Sequence, residues 1–487
     1  MMRVFSHLLS LDSRQNEPVY RQLYQRIKDA IVQGVLLPDS RLPSIRVLAS
    51  EVGVARGTVE NAYGQLIAEG YLQSRGQSGT YVSAQLRDAP LLPLTQSAQP
   101  VVVNKVSTVS PVARPFELGL PALDAFPRAQ WGRIMAKQLH NLTASSLGHP
   151  PATGLGLLRE AIAHYLQLSR GVSCQPEQVF ICSGYQSLLD LVISTLLQPG
   201  DRGWLEDPGY PVTRQLIREA GLIPHPVAVD QDGMDVGAAI NDCPQARFAI
   251  VTPAHQSPLG VALSLARRIA LLDWADQQHA WIIEDDYDSE FRYQGRPLPP
   301  LKTLDRQGRV LYAGTFSKVM FPALRLAYLV VPAQRVALFN QRCQLRICTS
   351  PPLIQASVAE FINQGHFYRH LKRMRHLYAE RREMLSTSLR RQLAGVVEVE
   401  QQAGGIQLLA RLDKGFADYA VAIRARQQGL AVQALSDWAL AETSQATGGN
   451  GLLMGFTNLT SVAETDRLVA LLAKVITSMS LNNPTSG

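Results

Sequence analysis

The chain is sparing with cysteine, and the five it has (Cys174, Cys182, Cys243, Cys343 and Cys348) form no C-x-x-C pair. An odd, scattered set speaks against a disulfide framework and against a zinc site, and for reduced thiols. Long apolar runs are missing too: no run of 18 or more apolar residues survives without a charge, which argues against a membrane-spanning helix. The opening MMRVFSHLLSLDSRQ has only a short apolar segment and no small-residue cleavage site, so no signal peptide is read and a cytoplasmic protein is expected. What is present is 487 residues, too many for one ordinary core, with 46% apolar side chains and a net charge of +7. That charge is a mild pointer to polyanions. Part of it gathers at 369–383, RHLKRMRHLYAERRE, which reads as one helix with Leu371, Met374 and Leu377 inward. Its basic face is either simply solvated or an auxiliary phosphate-contacting surface.

Composition changes at residue 84. From Gln85 to Pro115 the sequence is rich in Pro, Ser, Thr and Val without helical period, so 84–115 reads as a linker between domains at 1–83 and 116–487. At about 3 Å per residue where extended, such a linker reaches several tens of Å.

The first domain has a helical stretch at 18–35 with Val19, Leu23, Ile27 and Ile31 on one face. Ser44 is a plausible N-cap for a second helix with Leu48, Ala49 and Val52 inward. A turn at Gly53 leads to a third helix from Arg56, its core side Val59, Ala62, Tyr63 and Leu66. YLQSRGQSGTYV then has the strand, glycine-rich tip, strand pattern of a hairpin. Together these predict a winged helix-turn-helix, whose third helix enters the major groove of double-stranded DNA. The expected DNA contacts are Ser44, Arg46, Arg56, Thr58 and Asn61, with Arg75 and Gly79 in the wing; Arg56 has the reach for a guanine edge.

Beyond the linker, apolar runs such as VFICSG, GWLED, FAIVTP, WIIEDD, RVLYAG and LAYLVV alternate with helical stretches. This is the pattern of an α/β domain with a mostly parallel sheet, in which ligands gather beyond the carboxyl ends of the strands. Three polar clusters stand at such ends: Ser183-Gly184-Tyr185-Gln186, Glu284-Asp285-Asp286-Tyr287, and Thr315-Phe316-Ser317-Lys318 with Arg325 downstream. An amine, a carboxylate, a phenol, an arginine and a helix N-terminus are what pyridoxal 5′-phosphate (PLP) needs for its aldehyde, ring nitrogen, phenolic oxygen and phosphate. No metal is called for.

Residues 18–83 resemble the GntR family of winged helix-turn-helix regulators, and residues from about 116 onward resemble fold-type I aminotransferases. With EDPGYP (206–211), TPAHQSPLG (252–260), EDDYDSEFRY (284–293) and GTFSKVMFPALRLAY (314–328), the fusion resembles the MocR (GabR-like) subfamily. The resemblance implies a homodimer, a smaller C-terminal α+β subdomain and an internal aldimine at Lys318. It also implies that Asp285 meets the ring nitrogen and Tyr287 the phenolic oxygen. Arg325, Thr315, Ser317 and the Ser183, Gly184, Tyr185 turn are then expected on the phosphate.

Three positions depart from the pattern. Ser257 stands where relatives carry an aromatic residue, and His149 where they carry a tyrosine. The stretch GGNGLLMGFTNLT (448–460) lacks the arginine that clamps a substrate carboxylate in aminotransferases, and no arginine occurs from 427 to 466. Arg128, Arg202 or Arg214 could substitute from another wall. The complete head and the missing clamp favour a dimeric regulator that binds promoter repeats and senses PLP or an amino compound, and the missing clamp speaks for PLP itself over a simple amino acid. An active aminotransferase with an accessory DNA-binding head is the alternative.

Overall fold

The computed structural model describes residues 17–87, 113–295, 298–346, 348–440 and 449–480. The chain divides into two compact units, residues 1–108 and 109–487. Most of the expected linker, 88–112, lies outside the described residues, as does 441–448.

In the first unit, α1 (Val19–Val32) buries Leu23, Tyr24, Ile27, Ala30 and Ile31. Val19, expected on that face, is only half-buried, because it opens the helix at the margin of the core. In α2 (Ile45–Val52), the Ser44 hydroxyl accepts the Val47 amide at 3.3 Å, satisfying one of the amides that a helix start leaves unpaired. The helix ends at Gly53, whose φ of +70° is left-handed. Then α3 (Arg56–Ala68) buries Val59, Ala62, Tyr63 and Leu66, as its 3.6-residue period requires. Strands β1 (Leu72–Ser74) and β2 (Thr80–Val82) pair antiparallel, Leu72 opposite Val82, and form the wing. Packing continues to Leu86, so the head's core extends slightly past residue 83. Each fully buried aliphatic side chain here is worth about 1.5–3 kcal/mol of hydrophobic stabilisation before entropy is counted.

The second unit is built on an eight-stranded sheet. Its strands are β3 (Val179–Cys182), β4 (Arg202–Asp207), β5 (Ile223–Asp230), β6 (Gly233–Met234), β7 (Phe248–Val251), β8 (Trp281–Asp286), β9 (Val310–Thr315) and β10 (Ala327–Val330). The spatial order is β3-β10-β9-β8-β7-β4-β5-β6. Pairs β4·β5, β4·β7, β7·β8 and β8·β9 are parallel, whereas β10 runs against both β9 and β3. Strands such as β3 and β7 are buried on both faces, which is why they read as unbroken apolar runs. One result of the topology matters for chemistry. The carboxyl ends of β3, β4, β7, β8 and β9 lie along one sheet edge, and the reversed strand β10 brings its beginning, just after Arg325, to that same edge.

Three helices start at this edge: α4 (Tyr185–Leu196), α5 (Pro211–Glu219) and α6 (Leu265–Gln277). The long α7 (His366–Gln392) carries the basic segment. Leu371 and Met374 are buried as expected and Leu377 partly so, but the basic face is not simply solvated. Arg373 donates to the Ala125 carbonyl, Arg375 to that of Glu290, and Arg381 pairs with Asp124 at 2.6 Å, so these arginines fasten the unit internally. A second, antiparallel sheet of β11 (Val397–Val399), β12 (Gln407–Leu412), β13 (Gln433–Ala434) and β14 (Gly451–Gly455), in the order β11-β12-β14-β13, forms the C-terminal α+β lobe. Val229 and Leu259 of the large lobe pack with Leu409, Leu435, Trp438 and Leu453 of the small one.

Candidate functional site

A cavity of about 520 Å³ opens at the polar sheet edge. Of the residues expected to hold a cofactor, Lys318, Asp285, Tyr287, Arg325, Tyr185, Thr315 and Ser317 all line it. Ser183 and Gly184 do not line it directly. The Ser183 amide is already committed to the Cys348 carbonyl at 2.7 Å. Gly184 stands behind Arg325: with φ of +95°, a Cβ there would come within 3.1 Å of the guanidinium. Glycine at 184 thus makes room for the arginine.

Lys318 follows β9 in a short loop pinned by Phe316, Val319 and Met320, each at most 2% exposed. Thr315 tightens that loop by accepting the Ser317 amide at 3.1 Å. The lysine's Nζ donates to the Gly119 carbonyl at 2.8 Å. Burial lowers its pKa, partly opposed by Asp288 and Asp285. A lysine held this way is closer to the neutral, nucleophilic amine that carbonyl chemistry needs.

Asp285, next to last in β8, lines the cavity. The cavity leaves it some accessible surface, yet it is cut off from bulk water, and burial with neighbouring Asp286 and Glu206 raises its pKa to about 8. Asp286 turns away to meet Arg170 at 3.7 Å and the Tyr312 hydroxyl. Asp285 therefore stays beside other carboxylates, with Lys318 opposing their effect. A protonated pyridine nitrogen would relieve that situation. Tyr287 sits beside it, its hydroxyl 3.1 Å from His255 Nδ1, and His255 in turn meets Asp288 at 3.1 Å. At the departure, Ser257 lines the same cavity as Tyr287 and opposes the rise that burial imposes on the Tyr287 pKa.

Arg325 adopts a left-handed φ of +47°, and its carbonyl accepts a hydrogen bond from Ser350. Its guanidinium, the hydroxyls of Thr315 and Ser317 and the first amides of α4 are the donors a phosphate would use. The residues present thus fit PLP: an amine, a ring-nitrogen partner, a phenol and an anion cradle share one cavity. Gly119 supports the fit, because a Cβ there would stand 2.5 Å from Lys318 Nζ.

Several lining residues escaped the sequence reading. Tyr210, 43% exposed, stands between Tyr185 and Trp438, with ring centroids 6.2 and 5.8 Å away. It offers a planar face at the cavity wall; its position in EDPGYP at the start of α5 was the available signal. Glu206, from the same motif, is tied to the Thr252 amide and hydroxyl and to Gln256, and burial raises its pKa to about 7. Gly119, Gln407 and Trp438 come from elsewhere in the chain and carried no local signal.

Of the substitutes for the missing clamp, Arg214 alone lines the cavity. Arg202 begins β4, at the sheet edge opposite the site, and Arg128 begins a helix whose residues do not reach the cavity. His149 is exposed in its loop.

In the first unit, Ser44, Arg46, Arg56, Asn61 and Arg75 are exposed and Thr58 and Gly79 half-buried. Arg56, Thr58 and Asn61 all stand in the first two turns of α3. Arg75 is oriented by an ion pair with Asp39 and by the Tyr81 ring, 4.6 Å from its centroid.

Comparison with known proteins places these observations. Residues 127–444 match the family described as aminotransferase class I and II, and residues 19–82 the bacterial regulatory proteins of the gntR family. The probable rhizopine catabolism regulatory protein MocR of Rhizobium meliloti is 37% identical over 88% of this chain and 89% of its own. The HTH-type pyridoxine biosynthesis transcriptional regulator PdxR of Corynebacterium glutamicum is 33% identical over 97% of this chain and 98% of its own. Among solved structures, an archaeal alanine:glyoxylate aminotransferase aligns with a TM-score of 0.69 at 27% identity, covering 76% of this chain and 92% of that one.

Proposed function

The chain belongs to the MocR-like regulators, a gntR-family head joined to an aminotransferase class I and II domain, and on that premise we propose that it is a PLP-dependent transcriptional regulator. The observation that carries this reading is the complete set of Lys318, Asp285, Tyr287 and Arg325 around one cavity, in a chain whose head leaves Arg56 and Asn61 open to solvent. Lys318 would hold the aldehyde carbon, Asp285 would keep the ring nitrogen protonated, and Tyr287 would bond the phenolic oxygen. Arg325, Thr315, Ser317 and the Tyr185 amide would hold the phosphate, with Gly184 leaving room for the guanidinium. Bound there, PLP supplies an electrophilic carbon that reacts with amines.

The head is expected to read duplex DNA through α3, with Ser44, Arg46, Arg56, Thr58 and Asn61 at the groove and Arg75 and Gly79 at the backbone. A homodimer through the second unit would present two heads to a pair of promoter repeats in the cytoplasm. PLP, or an amino compound reacting with it, acts as effector if it binds two arrangements of the dimer with different affinity; a few kcal/mol suffices.

The test is titration of the full-length protein with PLP, following both visible absorbance and affinity for its own upstream DNA. A visible band that disappears in Lys318→Ala, with DNA affinity shifting on PLP or on a subsequent amine, is the expected result. No band at excess PLP would overturn it. The intact lysine and carboxylate, together with the aminotransferase neighbours, support residual transamination as a second reading. Sustained turnover at about 1 s⁻¹ or more with amino donors and 2-oxoglutarate would make the protein an enzyme first.

A further inference from the structure

The small lobe contributes a polar group that the cofactor does not need. Gln407 opens β12 and lines the cavity at 5% exposure, and its Nε2 has no hydrogen-bond partner. Strand alternation sets it on the same side as Leu409, the side facing Trp438, while Leu408 and Ala410 point into the other core. An unpaired amide N–H in a buried wall costs about 1–3 kcal/mol unless something in the cavity accepts from it.

Arg214 in the first turn of α5 lines the same cavity. One of its nitrogens, Nη1, donates to the Ala439 carbonyl; among the described residues the rest of its fork has no bond. Gln433 is already used, since its Oε1 accepts from Trp438 Nε1 at 3.0 Å. Glu206 is likewise tied to Thr252 and Gln256. β14, the strand expected to carry a clamp, adds no polar side chain: Leu453 is fully buried with Leu409, Leu435 and Trp438.

We propose that Gln407 and Arg214 form a carboxylate subsite, so that the effector is an amino acid held by the small lobe and α5 instead of by an arginine from the C-terminal strand. This rests on the PLP reading above: the amine end faces Lys318 and the cofactor, and the carboxylate end accepts from the Gln407 amide and the Arg214 fork. Because β12 belongs to the small lobe, a ligand bridging the two would draw the lobes together, which is how occupancy would be felt beyond the cavity.

The experiment uses PLP-loaded full-length protein and three probes. These are α-alanine, β-alanine and ethylamine, the last being either alanine without its carboxylate. The readout is the concentration giving a half-maximal change in visible absorbance. One alanine is expected to act at a concentration at least about tenfold lower than ethylamine. Gln407→Glu, which keeps the shape and replaces the donor with a repelling carboxylate, and Gln407→Leu should each erase that preference; Arg214→Gln should cut it by about tenfold. The proposal is overturned if ethylamine matches both alanines on the wild-type protein, or if all three variants keep the wild-type ratio. Failure of the wild-type protein to show any PLP band would instead remove the underlying reading, and this subsite with it.

Discussion

Asp285 is the residue whose chemistry is most exposed to test. In the cofactor-free protein its pKa is raised to about 8 by burial and by Asp286 and Glu206. In the unfolded chain an aspartate titrates near 3.9. Between these values the folded state holds a proton that the unfolded state has lost, so this group's contribution is full below about pH 4 and is lost as pH rises toward 8. Asp285→Asn removes the titration. Thermal melts without cofactor should therefore show a stability gain over wild type that widens from pH 5 to pH 8, while PLP affinity falls by tenfold or more. A gap that does not change with pH would mean that Asp285 is not held neutral. The carboxylate itself was legible at the end of an apolar run; its perturbed state was not, because that depends first on burial, then on Asp286, and then on Glu206 from a separate strand.

At the scale of elements, the loop before the first helix of the second unit meets the loop after β9 at Gly119 and Lys318. Gly119 has φ of +74° and would carry its Cβ 2.5 Å from Nζ. The far end of a lysine can move aside, so Gly119→Ala should cost only about 1 kcal/mol in stability, from backbone strain. The displaced amine should cost more: at least about tenfold in PLP affinity, or 1.4 kcal/mol, read by absorbance titration. In the head, Arg56 opens α3, where a recognition helix meets base edges. Arg56→Ala is expected to weaken specific binding by about 1–3 kcal/mol in a gel-shift or anisotropy titration, with binding to unrelated duplex little changed. An equal loss on both duplexes would assign Arg56 to a phosphate.

For the whole molecule, the distinguishing claim is that two heads act together. In sedimentation the protein is expected as a dimer, and duplexes with both repeats should bind at least about 10²-fold more tightly than duplexes with one, because the second head binds at a raised effective concentration. Equal affinity for the two duplexes would leave the heads independent. The second unit has its own cores beneath and above the sheet, and the head has its own around Leu23, Leu48, Val59 and Leu66. Each unit therefore owns the packing that its function requires.

The sequence by itself determined everything that depends on neighbours along the chain. The period-3.6 faces of α1–α3, the Ser44 cap, the wing, the apolar strands and the polar clusters at their ends are local patterns, and so are Lys318, Asp285, Tyr287 and Arg325. Tertiary structure alone decided what converges from distant segments. Reversal of β10 carries Arg325 to the edge where Lys318 waits, and the small lobe delivers Gln407 and Trp438 to the same cavity. Three arginines of α7 reach distant partners: Arg381 is buried against Asp124, while Arg373 and Arg375 stay exposed and donate to the Ala125 and Glu290 carbonyls. Those outcomes rest on strand order and lobe packing, which bring together residues up to hundreds of positions apart, and no local periodicity encodes them.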